Sequence, residues 1–379
     1  MSGGVDSSVA AALLLRRGYD VVGCFMRLGS PGESLEGLTA QEPPEACATM
    51  SLKIGHQGCC SVGDAADARL VAAELGIPFY VCNFKKDFAR IVDYFVDEYA
   101  QGRTPNPCVR CNDWLKFGKL HEYARTIDAG FVASGHYARV ETTAAGEARL
   151  LRGVDHAKDQ SYVLFGASRS RLREMLLPIG ALEKPRVRDL AREFGLPVFD
   201  KPDSQEICFV PDNDYAGLVE RRRPDLASSR GAIVDASGNA LGEHPGQHRF
   251  TIGQRRGVSV ALGYPIYVTG RDAARNTVTV GTRDDLMAAG LEAREVNWLV
   301  EEAAFREWQP CRVKIRSNAE PVPAECRLGD DGGSPTLDIR FAEAQSAVAP
   351  GQAAVCYGWD EPDVVLGGGW IVRASRSPE

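Results

Sequence analysis

The chain has 379 residues, of which 44% are hydrophobic and 25% charged, the composition of a water-soluble globular protein. That length exceeds one ordinary core and predicts two or three domains. The 44 basic and 51 acidic residues give a net charge of −7, which excludes generic charge-driven binding of nucleic acid, so any RNA contact must rely on local basic patches. No apolar run approaches the ~20 residues of a membrane helix and no signal peptide opens the sequence, so we predict a cytoplasmic protein without a membrane partner.

The first half of the chain alternates helical segments with short apolar runs. The predicted elements, in chain order, are a helix over 7–17 that stops at Gly18, a strand over 19–26, a helix over 64–75, a strand over 79–83, a helix over 87–101 and a strand over 131–135. This alternation predicts an α/β fold whose parallel sheet is covered on both faces. Residues 29–60 break the rhythm with a Gly-, Pro- and Glu-rich stretch, which predicts a flexible lid or a disordered insertion.

The second half has a different pattern. From about residue 220 onward, short runs of alternating apolar and polar residues predict an all-β region. We therefore place domain boundaries near 211–220 and near 285–290.

A glycine-rich segment, Ser2–Ser8 (SGGVDSS), leads directly into the first helix. Glycine permits positive φ, so successive backbone N–H groups can cradle a phosphate at the positive end of the helix. Ser7 and Ser8 are placed to cap the helix or to donate hydroxyl hydrogen bonds. No Gly-Lys-Ser/Thr follows, so this is not a Walker loop, and the alternative is a glycine-rich tail before a serine-capped helix. An apolar strand normally precedes such a loop. Its absence predicts either a start codon assigned too late, which we favour, or a sheet without its central strand.

A second candidate site is the segment 102–112 (GRTPNPCVRCN). Its two prolines disfavour helix and predict a stiff loop, which is a suitable support for a reacting thiol. A helix is predicted over 113–123, so Cys111 is expected near a helix N-terminus, where thiolate is favoured. The alternative is half of a structural zinc site, completed by His56, Cys59 and Cys60.

The eleven cysteines are odd in number and scattered, which predicts reduced thiols rather than a disulfide scaffold. Most are expected to be small buried hydrophobes. Cys208 lies between Ile207 and Phe209 where the α/β pattern ends, and such a cysteine taken alone is more often a core residue than a catalyst. The polar run at 201–206 weakens that interpretation.

Seven motifs in order resemble the tRNA-specific 2-thiouridylases, and the resemblance runs over nearly the whole chain. They are the loop at 2–8, GRTPNPCVRCN at 102–112, SGHYAR at 134–139, LLRGVDHAKDQSYVLF at 150–165, DSQEICF at 203–209, and the later GQRRG and GGGWI. The first loop also resembles the PP-loop of ATP pyrophosphatases, which is shared by several synthetases. The resemblance implies a PP-loop α/β domain over 1–211, a small, mainly β central domain over 212–287 and a C-terminal β-barrel over 288–379.

The resemblance also implies a reaction and its residues. In the family, ATP adenylates the C2 oxygen of the wobble uridine, the position of Cys208 carries a persulfide, and the position of Cys111 is the nucleophile; the two can form a disulfide. The implied ATP-binding positions are Met1, Ser2, Gly3, Gly4, Val5, Asp6, Ser7, Ser8, Met26 and Gly135. The implied tRNA-binding positions are Asn106, Pro107, Cys108, His136, Lys158, Asp159, Gln160, Arg316, Ser317 and Gln352. We also expect Mg²⁺, the anticodon arm of tRNA, and a sulfur donor such as a cysteine desulfurase or a sulfur relay carrier.

Elementary chemistry explains why such a reaction requires two thiols. The carbonyl oxygen of uracil is a poor leaving group until it is adenylated, and a persulfide is a strong nucleophile at neutral pH. After its terminal sulfur is transferred, a second thiol must resolve the remaining sulfur bond. The alternative to a tRNA-binding role for Lys158 and Asp159 is a solvated charge pair. Among the later basic segments, Arg255-Arg256 in a glycine-flanked loop is a better candidate for phosphate contact than Arg221–Arg223 or Arg249.

Two departures from the family pattern leave alternatives open. Many members have an acidic residue where this chain has Cys108, so Cys108, Cys111 and Cys208 are also candidate ligands of an iron–sulfur cluster with one open iron. The long 29–60 segment is the other departure. A PP-loop synthetase with a small-molecule acceptor, which needs no paired thiols, and a non-catalytic tRNA-binding protein are the competing functions.

Overall fold

A computed structural model describes residues 1–29, 62–203, 207–210, 213–227 and 229–376. The 29–60 insertion, apart from its first residue, and the proposed zinc ligands His56, Cys59 and Cys60 lie outside the described residues, so those expectations stay predictions. No helix in the part of the chain that is described is long and apolar enough to cross a membrane.

The N-terminal part is α/β, as the alternating pattern predicts. Its helices are α1 (Val5–Arg16), α2 (Val62–Glu74), α3 (Lys85–Ala100), α4 (Pro107–Arg110), a π-helix (Cys111–Lys119), α5 (Leu120–Thr126), α6 (Lys184–Glu193) and α7 (Tyr215–Arg222). Its strands are β1 (Gly23–Arg27), β2 (Phe79–Asn83), β3 (Val132–Ala133), β4 (Ala138–Thr142), β5 (Ala148–Arg152) and β6 (Met175–Leu176). In the described residues β1 pairs with β2 and β3 with β6, both in parallel, as two separate sheets.

Two helices illustrate how the sequence forms this part. α1 is rich in Ala and Leu, which favour helix, and the chain leaves it through Gly18 at φ +83°, a conformation open to glycine. α3 is amphipathic and buries an aromatic and aliphatic stripe that consists of Phe88, Ile91, Val92, Phe95, Val96 and Tyr99. That stripe forms the apolar cluster on which the cysteine-bearing segments pack.

The remainder is all β. A four-stranded sheet contains β7 (Gly231–Val234), β8 (Ala240–His244), β9 (Tyr267–Asp272) and β10 (Thr277–Gly281) in the order β8-β7-β10-β9. A closed barrel follows, formed by β11 (Met287–Trp298), β12 (Gln309–Lys314), β13 (Val322–Asp331), β14 (Ser334–Ser346), β15 (Ala353–Tyr357) and β16 (Val365–Ser375). Closure pairs every strand on both sides, so this domain has no open edge. The predicted fold class, α/β followed by a small domain and a C-terminal barrel, is confirmed.

Candidate active site

The N-terminal loop has the backbone that a phosphate cradle requires. Gly3 lies at φ +71°, and a Cβ there would come 2.3 Å from the carbonyl oxygen of Asp64, so no other residue fits. Gly4 is the N-cap of α1 and has no side chain with which to cap it. The first backbone N–H groups of the helix are therefore directed into the loop, where an anion is stabilised.

The serines of the loop donate hydroxyl hydrogen bonds, which is one of the two predicted roles, and do not cap the helix. The hydroxyl of Ser8 donates to the Gly4 carbonyl over 2.8 Å, and that of Ser7 donates to the same oxygen over 3.2 Å. Both serines therefore bond a carbonyl, and the Ser7 hydroxyl also accepts from the Ser2 N–H over 3.1 Å, so neither caps the N–H groups of α1. They brace the turn and leave the N–H groups to a ligand.

Gly135 closes the opposite side of the loop. A Cβ on Gly135 would lie 2.6 Å from both the carbonyl carbon of Asp6 and the nitrogen of Ser7. The end of β3 therefore touches the backbone of the first turn of α1, which only glycine permits. Met26, another predicted nucleotide position, lies half-buried on β1 opposite Cys82 of β2.

A chain of ion pairs leads from the loop toward the segment that carries Cys208. The Asp6 carboxylate accepts from the Tyr137 hydroxyl at 2.8 Å and from the Lys184 ammonium at 2.8 and 2.9 Å. Lys184, nearly fully buried, also bonds Asp203 at 2.8 Å. One ammonium thus joins a loop carboxylate to a carboxylate five residues before Cys208.

Asp203 is the centre of this network. Its carboxylate also accepts from Lys158 and Arg188, each at 2.9 Å. Burial opposes ionisation of Asp203, but the hydrogen bonds from Lys184 and Lys158 outweigh it and lower the pKa of Asp203 to about 2. The carboxylate is therefore charged at every physiological pH.

Lys201 makes a second connection. Its ammonium donates to the Gly3 carbonyl at 3.0 Å and to Asp64 and Asp67 at 2.7 and 2.6 Å. The residues from 201 to 203 are thus bound directly to the glycine loop and to α2. The sequence gives no signal for Lys184, because a lone lysine carries no spacing pattern, whereas Lys201 begins the polar run at 201–206.

The segment with the paired cysteines is helical, which corrects the predicted loop. Asn106 is the N-cap and accepts from the Val109 N–H, and α4 begins at Pro107. Proline is well suited to the first helical position, where no N–H is needed. Cys108, which is exposed, therefore lies in the first turn, whereas Cys111 lies one turn further on, where the helix end favours thiolate less.

Cys111 begins the π-helix that links α4 to α5, an element the sequence pattern did not predict. A Cβ on Gly118 would come 2.7 Å from the carbonyl oxygen of Asp113, five residues earlier, so this winding depends on glycine. π-helical turns are rare in proteins overall, and those that occur often lie at functional sites.

Both β domains hold this segment in place. The Thr104 N–H donates to Pro350, and the Gln352 amide donates to the carbonyls of Thr104 and Pro105 at 3.0 and 3.1 Å. Arg271 from the four-stranded sheet donates to the Thr104 hydroxyl at 2.9 Å. Thr104 is therefore clamped between the two domains.

Arg110, between Cys108 and Cys111, makes a buried contact with the barrel. Its guanidinium lies 4.0 Å from the ring centre of Trp370 and 5.1 Å from those of Tyr94 and Trp114, and it pairs with Glu295 at 2.8 Å. A buried guanidinium over aromatic faces contributes cation–π attraction. The GGGWI motif thus supplies the ring that anchors the thiol-bearing helix.

Cys208 approaches the same region from another element. Phe209 packs edge-on against Phe88 and Phe95 of α3, with ring centres 5.6 and 5.2 Å apart. Cys111 and Cys208 are both half-buried and both pack against the apolar cluster of α3. The structure thus brings both predicted reactive thiols to one cluster.

Several predicted tRNA positions have buried partners. The Asp159 carboxylate is fully buried and accepts from the N–H groups of Gly153 and Ser161 at 3.2 and 3.0 Å, with Arg152 and Lys314 at 3.3 and 3.4 Å. Lys158 instead bonds Asp203. The alternative of a solvated Lys158–Asp159 pair is therefore wrong.

His136 is also buried. Burial, with some repulsion from Lys116, lowers its pKa well below the ordinary value, so the ring is neutral. Its Nδ1 lies 2.7 Å from the Ser134 hydroxyl and its Nε2 lies 3.4 Å from the Lys116 ammonium. Gln160 bonds the Tyr137 N–H at 3.0 Å.

The barrel positions differ in exposure. Arg316 is exposed and donates to the carbonyls of Ser346 and Ala347, and the neighbouring Ser317 is half-buried. The Gln352 amide is engaged with the thiol-bearing segment as described above. RNA contact by any of these residues stays a prediction.

Basic side chains of the middle region fall into two groups. Arg221 and Arg222 pair with Asp214 and Asp93 on the same surface. Arg255 and Arg256 are exposed between Gly253 and Gly257, both at positive φ, and no ion pair is found for them among the described residues. The second group is the one that offers charge to a phosphate.

The iron–sulfur alternative has no ready-made site here. Among the residues that the structure describes, the one group of three metal-ligating side chains with donor atoms within 4.8 Å of one another is Cys311, Cys326 and Cys356, inside the barrel. The proposed ligands Cys108, Cys111 and Cys208 do not form such a group in this conformation.

The fold and site define an α/β protein with a glycine-rich nucleotide loop and two β domains, in which Cys111 and Cys208 pack on one apolar cluster and the barrel holds the segment that carries Cys111. Family models agree: the tRNA methyl transferase HUP domain matches residues 1–212, the tRNA methyl transferase PRC-barrel domain 223–282 and the aminomethyltransferase β-barrel domain 288–371. Together with relatives that are 42–47% identical over nearly the full length, these models show that the chain belongs to the tRNA-specific 2-thiouridylase family.

Curated relatives support this assignment over the full length. The tRNA-specific 2-thiouridylase MnmA of Rhodopirellula baltica is 46% identical, with 99% of this chain and 95% of the relative covered. The proteins of the same name from Geotalea uraniireducens and Clostridioides difficile are 47% and 42% identical. Each alignment covers 99% of this chain, with 94% and 97% of the respective relative. The resemblance inferred from the seven motifs is therefore confirmed.

Proposed function

We propose that this protein, a tRNA-modifying enzyme by family, uses ATP to replace the C2 oxygen of a tRNA uridine with sulfur. The observation that carries the proposal is the pair of lysines that binds the nucleotide loop to the Cys208 segment. Lys184 joins Asp6 to Asp203, and Lys201 bonds the Gly3 carbonyl. An activating nucleotide and a sulfur-carrying thiol therefore belong to one site.

The first step is activation. The loop over Met1–Ser8, with Met26 and Gly135, would hold ATP, its phosphates lying against the N–H groups of α1. The uridine C2 oxygen attacks the α-phosphate, and pyrophosphate leaves. Mg²⁺ would accompany the phosphates, held by phosphate oxygens, water and one or two carboxylates, and Asp6 is the carboxylate within the loop.

The second step transfers sulfur. A donor loads Cys208 as a persulfide, whose terminal sulfur attacks C2; the C2–O bond breaks and AMP leaves. The Cys111 thiolate then attacks the Cys208 sulfur and releases the 2-thiouridine, which leaves a disulfide between the two cysteines. An external dithiol returns both to thiols. A cysteine desulfurase or a sulfur relay carrier fits the role of donor.

The third element is the RNA. The target base must leave the anticodon stack to reach Cys111, and the segment Asn106–Cys108 would receive it. We keep the other assigned contact positions, which are His136, Lys158, Asp159, Gln160, Arg316, Ser317 and Gln352, as proposed determinants of binding. Residues 1–211 would activate and thiolate, while 212–287 and 288–379 would hold the anticodon arm.

Mass spectrometry of nucleosides tests the reaction. Purified protein is incubated with ATP, a persulfide source and an unmodified tRNA transcript, and 2-thiouridine is quantified with AMP and pyrophosphate. Cys111→Ser and Cys208→Ser should each abolish thiolation, whereas Cys82→Ala, in the same apolar cluster, should retain it.

The other mechanisms predict different results. Turnover of a small acceptor that survives the Cys111→Ser/Cys208→Ser double variant would support a synthetase instead. Activity that requires bound iron, measured after anaerobic purification with Mössbauer spectra, would support a cluster on Cys108, Cys111 and Cys208. Full activity in iron-free protein excludes it.

A further inference from the structure

The barrel encloses three cysteines that the thiolation chemistry does not use. Cys311 lies on β12, Cys326 on β13 and Cys356 on β15, and all three are fully buried. β12 pairs with both neighbours, so that Gln309 faces Cys326 and Val313 faces Cys356. Because side chains alternate with a period of two, residues 309, 311 and 313 share one face. Pairing alone therefore puts the three thiols on the same inner surface.

Their sulfurs are close enough to share one ion. All three Sγ atoms lie within 4.8 Å of one another. A triangle whose sides do not exceed 4.8 Å has a point no more than about 2.8 Å from every corner, and a metal–thiolate bond is about 2.3 Å long. A contraction of roughly half an ångström toward the centre thus completes a three-sulfur site without a change in strand register.

We propose that Cys311, Cys326 and Cys356 form a binding site for a soft, three-coordinate metal ion, with Cu(I) as the ion. Thiolates select soft ions over Mg²⁺ or Ca²⁺. Structural zinc takes four ligands, and no fourth His, Cys, Asp or Glu donor joins this group among the described residues. The surrounding side chains are apolar, among them Val313 and Leu337. Copper(I) accepts three sulfurs and needs no further ligand.

Charge determines how many protons leave. Three thiolates around Cu⁺ would leave two negative charges in an apolar core, which is costly. We expect two thiols to release their protons to solvent and the third proton to stay on the sulfurs, which leaves one net negative charge.

The full-length protein is the material for the test. It is produced in copper-supplemented cells, in a background with Cys108, Cys111 and Cys208 changed to serine, and purified under reducing, anaerobic conditions. Elemental analysis should give about one copper per chain after dialysis against a weak chelator, since metal captured during folding stays in a buried site. X-ray absorption should show about three sulfurs at roughly 2.3 Å.

Two variants locate the ion. Cys326→Ala should reduce the copper content at least tenfold. Cys82→Ala is the matched control, because it removes another buried cysteine whose sulfur lies 2.9 Å from that of Cys24, and it should leave the copper content unchanged.

Copper-free protein from supplemented cells, or copper bound through two sulfurs and lost in Cys82→Ala, would overturn the proposal. The first of these results needs no variant, so it holds even if Cys326→Ala fails to fold. It would make the three cysteines ordinary small residues of the barrel core.

Discussion

The contact between Gly135 and the nucleotide loop allows a sharp test of where ATP binds. In Gly135→Ala the new methyl would lie 2.6 Å from the backbone of Asp6 and Ser7, whereas carbon atoms in contact stay about 3.5 Å apart. The obstacle is backbone, so it has no rotamer with which to yield. Either the end of β3 or the first turn of α1 must move by about an ångström.

The expected magnitude follows from that displacement. Overpacking of this kind typically costs about 1–3 kcal/mol. If the cost falls on the bound geometry of the loop, the KM for ATP rises by roughly ten- to a hundredfold, since 1.4 kcal/mol is a factor of ten. tRNA-dependent release of pyrophosphate, measured against ATP concentration, reports this directly, with the melting temperature recorded in parallel.

Gly130→Ala is the matched control. Gly130 precedes the same strand, and a Cβ there meets no atom within 4 Å. We expect its KM for ATP to equal that of the unaltered protein. A Gly135→Ala protein that is less stable yet binds ATP as Gly130→Ala does would refute the assignment of Gly135 to the nucleotide site.

Three further outcomes are expected. The pKa of Asp203 is lowered from 3.8 to about 2, so its ionisation stabilises the fold by about 2 kcal/mol above pH 4. This contribution is lost as the pH falls from about 4 to about 2. Asp203→Asn should lower the free energy of unfolding by that amount at pH 7 in urea titrations, and an unchanged free energy would contradict the network. Arg256→Ala should reduce the slope of log affinity for tRNA against log salt by about one, whereas Arg221→Ala, which removes a charge that is already paired, should leave the slope unchanged. Equal slopes for the two variants would show that Arg256 makes no phosphate contact. Arg110→Met should lower kcat/KM for tRNA about thirtyfold, from loss of about 2 kcal/mol of cation–π attraction, and Arg110→Lys should not restore it; Arg90→Met, on the exposed side of Trp114, serves as control.

Sequence patterns predicted the elements well where periodicity is strong. α1, α3 and the barrel strands with alternating burial follow directly from a glycine cap, an amphipathic stripe and two-residue alternation, whereas β15 and the first part of β16 are buried without alternation. The helix of the thiol-bearing segment does not follow from the sequence, because proline disfavours helix in general, whereas Pro107 occupies the first helical position, where no N–H is needed. The same residue therefore supports opposite predictions until its neighbours are known.

Long-range ion pairs were beyond sequence analysis for a different reason. Lys184 and Asp6 are 178 residues apart, and no spacing rule connects them. Asp159 shows the reverse case. It was assigned to the RNA surface by resemblance, yet its carboxylate is buried beneath Lys314 and Arg152. Motif position locates a residue along the chain, whereas its exposure depends on elements that the motif does not contain.

The clamp on Thr104 has a consequence for how the three parts of the molecule can be separated. Arg271 and Gln352 reach this threonine from different domains, so a fragment that ends before the barrel loses three of the four bonds that hold Thr104 and Pro105. Such a fragment would keep its glycine-rich loop but present Cys111 on an unsupported helix. The β domains are thus part of the scaffold that positions Cys111.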